Sequence, residues 1–336
     1  MTAQGIRAHL ESRAKPPGSL GRLEDLAAEL CRIQRTLRPV TRPRRLVLFA
    51  ADHGVVAEGI SAWPAAVTAA MVRTIAEGRA ASSVLAEASG TDLRLIDVGV
   101  EGPGLPDGPV HRCRKVRQGS RNLAVEPALT VDEFRAAMRV GEEQADEAHA
   151  DGVRVVAAGE MGIGNTTPAS CLTALLASVS MDEAVGPGAG ADGPTMERKR
   201  RAVRAAVDRE RPRLDANSEA TMAALGGLEI AAMAGFLHRS AELRLTVVLD
   251  GFIATAAALV AQRLWPGTRS HLIAAHRSAE PGHAAALRHL GLVPFLDGWN
   301  LRLGEGTGAL LLMPLLDAAA AVCRMASLSD VTGEPA

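Results

Sequence analysis

The chain has 336 residues, a formal net charge of −1 at pH 7 and a hydrophobic fraction of 47%. This length suits one large α/β domain or one domain with a smaller lobe, and the near-zero charge argues against nucleic acid or an anionic membrane as the main partner. The four cysteines form no CxxC pair, which favours reduced thiols in a cytoplasmic protein over a disulfide framework or a zinc site.

The two ends of the chain are predicted to be helical. A rigid turn, KPPGS, begins at Lys15, and leucines then recur at helical spacing until Pro39. Residues 309–326 are apolar enough to approach membrane length, but Asp317 interrupts them, so a buried helix is the better interpretation. We expect two domains: a small helical one from residues 1–40 and about 305–336, and a large α/β one from about 41–304.

Strands and helices alternate between these ends, which predicts a parallel sheet covered by helices on both faces. A single helix is expected to reach about Leu85, and residues 101–129 are expected to form an extended loop or hairpin. The predicted strands are 45–51, 93–98, 153–156, 243–249 and 271–275. Polar residues follow these strands: Asp52, His53, Asp97, Glu160, Asp250 and His276. Because the carboxyl ends of parallel strands meet at one edge, these residues predict a common site.

A glycine-rich stretch, VRVVAAGEMGIGNTTP at 153–168, predicts a strand, a turn starting at Gly159, and a helix. Thr167 is expected at the N-cap and Pro168 at the first helical position. A helix N-terminus behind such a turn binds anions, phosphate above all. The glycine spacing matches neither a Walker loop nor a dinucleotide fingerprint, so a plain turn is the alternative. The polar residues in this turn favour the phosphate site.

Glu305 lies between two glycines just ahead of a predicted helix, a placement that suits a general base. The alternative is a structural carboxylate that stabilises the helix N-terminus. The Asp and His residues at the strand ends could also be read as metal ligands. No two of them share a ligand-like spacing, so polar residues at loop starts are the favoured interpretation.

Seven segments of the chain, taken together and in order, resemble the nicotinate-nucleotide:dimethylbenzimidazole phosphoribosyltransferase family. They are KPPGSLGRLEDLA (15–27), ADHGV (51–55), GEMGIGNTTP (159–168), GGLEIAAMAG (226–235), DGF (250–252), HRSAEPGH (276–283) and LRLGEGTGA (301–309). The resemblance implies a Rossmann-like α/β fold, a small helical domain built from both termini, and a homodimer. It also implies transfer of the phosphoribosyl group of nicotinate mononucleotide to 5,6-dimethylbenzimidazole, with inversion at the anomeric carbon, in cobalamin lower-ligand synthesis.

The same resemblance assigns residues to the reaction and implies no metal and no redox cofactor. Glu305 corresponds to the catalytic base of the family. Lys199, one of only three lysines in the chain, is implied at the 5′-phosphate. The nucleotide and its phosphate are assigned to Glu160, Gly162, Ile163, Gly164, Asn165, Thr166, Lys199 and Ser278. The acceptor base is assigned to Ser61, Trp63, Met71 and Leu303.

The chain departs from the family pattern near the acceptor base. Ala65, Ala66 and Ala70 stand where Gln, Glu and Gln are common, and the glycine-rich loop at 186–193 also differs. A different benzimidazole, a purine or a phenol is therefore an open alternative as acceptor. Two other classes are weaker alternatives: a metal-dependent phosphohydrolase and a non-catalytic nucleotide-binding protein.

Overall fold

The computed structural model describes residues 1–333, so the last three residues of the predicted terminal segment, 334–336, lie outside the described residues. Six strands within that part form one sheet. The strands are β1 (Arg44–Ala51), β2 (Asp92–Gly99), β3 (His111–Cys113), β4 (Val155–Met161), β5 (Thr246–Leu249) and β6 (Leu272–Ala274).

Helices connect the strands and form both ends of the described chain. The first seven are α1 (Ala3–Glu11), α2 (Arg22–Gln34), α3 (Val67–Ala76), α4 (Ala81–Ser89), α5 (Val131–Ala150), α6 (Thr166–Leu176) and α7 (Met181–Ala184). The others are α8 (Gly193–Glu210), α9 (Ser218–Leu225), α10 (Leu228–Glu242), α11 (Phe252–Leu264), α12 (Pro281–Leu290), α13 (Thr307–Val322) and α14 (Leu328–Thr332). Short 3-10 turns lie at Gly54–Glu58, Arg211–Arg213 and Thr268–His271.

The sheet runs in the order β3-β2-β1-β4-β5-β6, and every neighbouring pair is parallel. This order confirms the predicted α/β class and is that of a Rossmann-like, doubly wound sheet. The strand order reverses between β1 and β4, which is where such sheets bind ligands. The hairpin alternative for residues 101–129 is wrong, because β3 pairs in parallel with β2 as an edge strand.

Alternation along β1 explains how the sheet buries both faces. Val47 and Phe49 belong to one hydrophobic cluster, whereas Leu46 and Leu48 belong to another. Since successive side chains of a strand point to opposite faces, the two clusters are the two layers of the core. The first cluster holds α5, α6 and α8 to α12, and the second holds α1 to α4 and α13.

The helices at the two ends of the chain pack together. Cys31 of α2 and Cys323, which follows α13, place their sulfur atoms 3.6 Å apart in the buried interior. Side chains of α1, α2 and α13 share one cluster with the strand residues Leu46 and Leu48. The terminal helices therefore cover one face of the sheet. Their division into a separate small domain stays a prediction.

The single helix predicted to reach Leu85 is wrong: the chain forms two helices, α3 and α4, with a break at residues 77–80. Gly78 adopts φ +76° in this break and ends α3. A glycine just past a run of helical residues is a helix stop signal, so Gly78 is the residue of the sequence that indicates the break. The break gives the molecule a second helix N-terminus, at α4.

Candidate active site

A cavity of about 450 Å³ opens at the carboxyl edge of the sheet, a volume in the range of small-molecule sites. Its lining combines the loop and helix after β1, the turn after β4, and the residues after β5 and β6. Glu160 and His276 line it, as the strand-end pattern predicts. Asp250 lies buried near the same edge, whereas His53 pairs with the buried Glu229 at 2.9 Å.

The glycine turn after β4 lies at the centre of the lining. Strand β4 extends to Met161, so the turn begins at Gly162 and not at Gly159. The predicted cap is also wrong by two positions: Asn165 is the N-cap of α6, and Thr166 is its first residue. The side chain of Asn165 makes no cap, and Gly164, Asn165 and Thr166 at this helix N-terminus line the cavity. This arrangement binds anions.

Lys199 lies behind this turn and does not line the cavity. The residue is 1% exposed, and its ammonium group donates to Thr166 Oγ1 at 2.8 Å and to the carbonyl of Gly186 at 2.7 Å. Burial lowers the pKa of Lys199 to about 8, and the Glu280 carboxylate opposes that shift. The lysine thus joins the α6 turn to the 186–190 loop, while its direct contact with a phosphate stays a prediction.

Ser278 lines the cavity in the loop after β6, and the buried His283 holds its backbone in place. His283 Nδ1 accepts the backbone N–H of Ser278 at 2.9 Å, and its Nε2 lies 3.0 Å from Thr255 Oγ1. Burial lowers the pKa of His283 to about 3, so the ring is neutral at physiological pH. A neutral ring can accept at one nitrogen and donate at the other, which fixes the loop that carries Ser278.

Glu160 is a buried carboxylate in a crowded acidic setting. Burial, followed by the charges of Asp250 and Glu229, raises the pKa of Glu160 to about 8. The Asn165 side-chain amide donates to Glu160 Oε2 and partly opposes that shift. Glu160 is therefore largely protonated at pH 7 and is able to donate a hydrogen bond.

Glu305 also lines the cavity and has a backbone that few side chains adopt. Its φ is +57°, and it lies between Gly304 and Gly306, which have positive φ as well. The residue is buried, with 3% exposure, and its Oε2 accepts from Ser82 Oγ at 3.0 Å. A left-handed backbone at a non-glycine residue is a strained feature that tends to mark functional sites.

The sequence predicts Asp250 as a polar residue at a strand end, with a metal ligand as the less favoured interpretation, and the structure gives it a specific role. Its carboxylate accepts the backbone N–H groups of Gly306 at 3.1 Å, Gly308 at 2.7 Å and Ala309 at 3.2 Å. These N–H groups belong to the N-terminus of α13, so Asp250 caps that helix. The alternative interpretation of Glu305, as the carboxylate that stabilises this N-terminus, is therefore not needed. Burial raises the pKa of Asp250, and the neighbouring His276 and these N–H groups oppose that shift.

The acceptor-base residues predicted from the resemblance form the apolar side of the cavity. Ser61, Trp63, Met71 and Leu303 all line it. Trp63 is 52% exposed and Leu303 is 60% exposed, so both lie at the mouth. The remaining apolar residues of this wall are Ile60, Val67, Met161 and Ile163. A planar apolar ring suits such a wall.

Two further residues of the lining were missed from the sequence. Arg302 places a guanidinium at the mouth of the cavity, and Glu280 places a carboxylate opposite the 186–190 loop. Glu280 Oε1 accepts the backbone N–H of Gly188 at 2.8 Å. Glu280 lies in the motif HRSAEPGH and Arg302 lies in the motif LRLGEGTGA. Their place in these motifs is the sequence signal that could have identified them as site residues.

Within residues 1–333, no group of three or more His, Cys, Asp or Glu side chains is placed to hold a metal ion. Among the helices of the described part, none is both long enough and apolar enough to span a bilayer.

Comparison with known proteins supports a common family across nearly the whole chain. Residues 1–331 match the family model DBI_PRT, described as a phosphoribosyltransferase. A nicotinate-nucleotide–dimethylbenzimidazole phosphoribosyltransferase of Thermus thermophilus is 46% identical over 324 residues, covering 96% of each chain. The enzyme of the same name from Mycobacterium marinum is 44% identical over 326 residues, covering 96% of this chain and 90% of its own.

Solved structures agree with the sequence matches. The crystal structure of CobT from Thermus thermophilus superposes with a TM-score of 0.94 at 44% identity, covering 98% of each chain. A second crystal structure, of the phosphoribosyltransferase from the same organism, gives a TM-score of 0.93 at 43% identity, covering 99% of this chain and 98% of the other.

Proposed function

Because this chain belongs to the nicotinate-nucleotide–dimethylbenzimidazole phosphoribosyltransferase family, we propose that it transfers the 5-phosphoribosyl group of nicotinate mononucleotide to 5,6-dimethylbenzimidazole. The products are α-ribazole 5′-phosphate and nicotinate, in the assembly of the lower ligand of cobalamin. The cavity supports this proposal because it joins an anion-binding turn, a buried carboxylate and an apolar wall in one volume.

The nucleotide occupies the side of the cavity formed by the turn at Gly162–Thr166. Its 5′-phosphate binds at the N-terminus of α6, with Ser278 nearby. Lys199 supports this site from behind, since it fixes Thr166 and supplies positive charge to a dianion. Glu160, in its protonated form, donates to an oxygen of the ribose or of the nicotinate ring substituent.

The acceptor base lies against the apolar wall, with one ring nitrogen facing the anomeric carbon and the other facing Glu305. As the first nitrogen attacks, the second loses its proton to the carboxylate of Glu305. The nicotinate leaves from a quaternary pyridinium nitrogen and becomes a neutral ring, so the departure needs no general acid. Direct displacement from the opposite face converts the β-linkage to α. Positioning of the two rings supplies most of the remaining rate.

The observation that carries this proposal is the placement of Glu305. Its strained backbone holds a buried carboxylate at the cavity although Asp250 already caps the adjacent helix. Capping of α13 therefore does not require an acidic residue there, and the contact of Glu305 Oε2 with Ser82 at the start of α4 engages only one of its two carboxylate oxygens. A base for the acceptor ring does require an acidic residue.

A product assay tests the proposal directly. Purified protein is mixed with nicotinate mononucleotide and 5,6-dimethylbenzimidazole in the presence of a chelator, and the products are separated by chromatography. We expect α-ribazole 5′-phosphate and nicotinate in equal amounts. Product only in the absence of the chelator, as inorganic phosphate, would favour the phosphohydrolase alternative. Nucleotide binding without any product would favour the non-catalytic alternative.

The same transfer to a different acceptor base is the second candidate. Ala65, Ala66 and Ala70 replace polar residues common in the family, in the segment that leads into and forms the start of α3. Val67 and Met71 of that helix are part of the apolar wall. Including other benzimidazoles, a purine and a phenol in the assay ranks these acceptors.

We further propose that the protein acts as a homodimer in the cytoplasm. The family resemblance supports the dimer, and the four cysteines, all unpaired, are compatible with a reducing compartment. Light scattering on the purified protein gives the oligomeric state, and a mass of one chain would contradict the dimer.

A further inference from the structure

The carboxylate of Glu305 is held by a residue outside the cavity lining. Ser82 is buried at the second position of α4, and it lies 223 residues from Glu305 in sequence. We propose that Ser82 is a positioning residue for the catalytic carboxylate. This inference rests on the proposed role of Glu305 and concerns how that role is prepared before substrate binds.

Two donors of Ser82 engage the same carboxylate oxygen. The hydroxyl donates to Glu305 Oε2 at 3.0 Å, and the backbone N–H approaches the same atom at 3.4 Å. Both contacts leave Oε1 for the proton of the acceptor ring. The carboxylate is thereby turned so that one oxygen is fixed and the other faces the substrate.

The start of α4 is built to receive this carboxylate. The N-cap residue Ala80 has no side chain that can accept a hydrogen bond, and α4 has no side-chain cap. The N-terminal N–H groups of a helix attract negative charge. The acceptor therefore comes from Glu305, which lies far away in the sequence.

Backbone and side chain of Glu305 are thus fixed by different elements. Asp250 holds the next residue through the N–H of Gly306 at 3.1 Å, while Ser82 holds the carboxylate. Without the serine hydroxyl, the backbone of residue 305 would stay in place and the carboxylate would rotate more freely. The expected consequence is a slower chemical step with unchanged substrate binding.

Kinetics of Ser82→Ala test the proposal. We expect kcat to fall about tenfold, the size of one hydrogen bond to a charged group, with KM unchanged for both substrates. Ser82→Thr keeps the hydroxyl and is expected to restore most of the rate. The matched control is Ser83→Ala, because the neighbouring Ser83 hydroxyl bonds the carbonyl of Ile75 at 3.0 Å and does not contact Glu305. Its kcat is expected to stay within about twofold of wild type.

A double variant keeps the test decisive if Ser82→Thr does not fold. In the Glu305→Gln background, Ser82→Ala is expected to lower the residual rate by less than about twofold, since Ser82 acts through the carboxylate. A further tenfold fall in that background would overturn the proposal. So would a wild-type kcat in Ser82→Ala, or an equal loss in Ser83→Ala.

The same assays separate this inference from the proposed function. If the wild-type protein forms no ribotide, the proposed function fails and the role of Ser82 loses its premise. If wild type is active, Glu305→Gln loses most of its turnover and Ser82→Ala is unimpaired, the proposed function stands and the inference about Ser82 is wrong.

Discussion

Gly159 of β4 and Gly306 at the start of α13 meet backbone to backbone: a Cβ atom on Gly159 would lie 2.8 Å from the Gly306 nitrogen. The glycine pattern predicts Gly159 in a turn, but the residue is a strand glycine that lets the loop carrying Glu305 approach the sheet. Glycine inside a strand often marks such a close approach.

Gly159→Ala is therefore expected to displace the loop at residues 304–306. The added methyl group should destabilise the fold by about 1–3 kcal/mol, as overpacking does in a close-packed core, and should lower kcat as well. Urea unfolding and the product assay measure the two effects. Gly193→Ala is the control, since a Cβ atom there meets nothing within 4 Å. Equal stability of the two variants would contradict the close approach.

Glu305→Gln should abolish most of the turnover and keep nucleotide binding. The amide is nearly the same size as the carboxylate but cannot take the proton of the acceptor ring. Loss of a general base lowers the rate by about 10²- to 10⁴-fold. Chromatography gives the rate and calorimetry gives the binding of nicotinate mononucleotide. A near-wild-type rate would remove Glu305 as the base.

Lys199→Ala should raise KM for nicotinate mononucleotide more than KM for the acceptor base. The change removes the donor to Thr166 and to Gly186, which lie beside the turn that we propose binds the phosphate. Steady-state kinetics with each substrate varied in turn measures the two KM values. Arg200→Ala is the control, because Arg200 lies on the same helix and pairs only weakly with the exposed Asp182 at 3.7 Å. The phosphate role of Lys199 is wrong if KM for the nucleotide does not change.

The free energy of unfolding of the protein should fall with rising pH because of Glu160. The folded state raises the pKa of this carboxyl from 4.5 to about 8. Between these two values, the unfolded chain loses the proton and the folded protein keeps it, so each rise in pH favours the unfolded chain. Glu160→Gln removes this pH-dependent loss of stability. The free energy of unfolding of the variant, relative to that of wild type, should therefore increase from about pH 5 to about pH 8.5.

Thermal unfolding of both proteins at several pH values checks this expectation. Glu77→Gln supplies the control, since Glu77 is an exposed residue that pairs with the exposed Arg79. Its difference from wild type should not vary with pH. A pH-independent difference for Glu160→Gln would show that Glu160 ionises near its ordinary value in the folded protein.

The sequence was informative where function depends on local pattern. Alternating strands and helices predicted the parallel sheet, and polar residues after strands placed the site at its carboxyl edge. Glycine spacing predicted a turn after β4, although with its start at Gly159 instead of Gly162, and the flanking glycines singled out Glu305. Each of these signals lies within a few residues of the feature that it predicts.

Contacts between distant segments were not predictable in the same way. The capping of α13 by Asp250 and the hold of Ser82 on Glu305 depend on which strand and helix become neighbours. The burial of Lys199 is equally a tertiary property, since α8 presents charged residues on both sides of it. The α3–α4 break was different, because a local residue, Gly78, indicates it. The helical pattern continues on both sides of Gly78, and this continuity led to the prediction of one helix.

The long separation between Ser82 and Glu305 has a consequence for biosynthesis. The two residues are 223 positions apart, so the nascent chain acquires Ser82 early and Glu305 late. Contacts of such high sequence separation form slowly and only when the intervening segments are in place. The ribosome must therefore deliver the chain beyond Glu305 before this residue can meet Ser82, so the contact between them forms only late in synthesis.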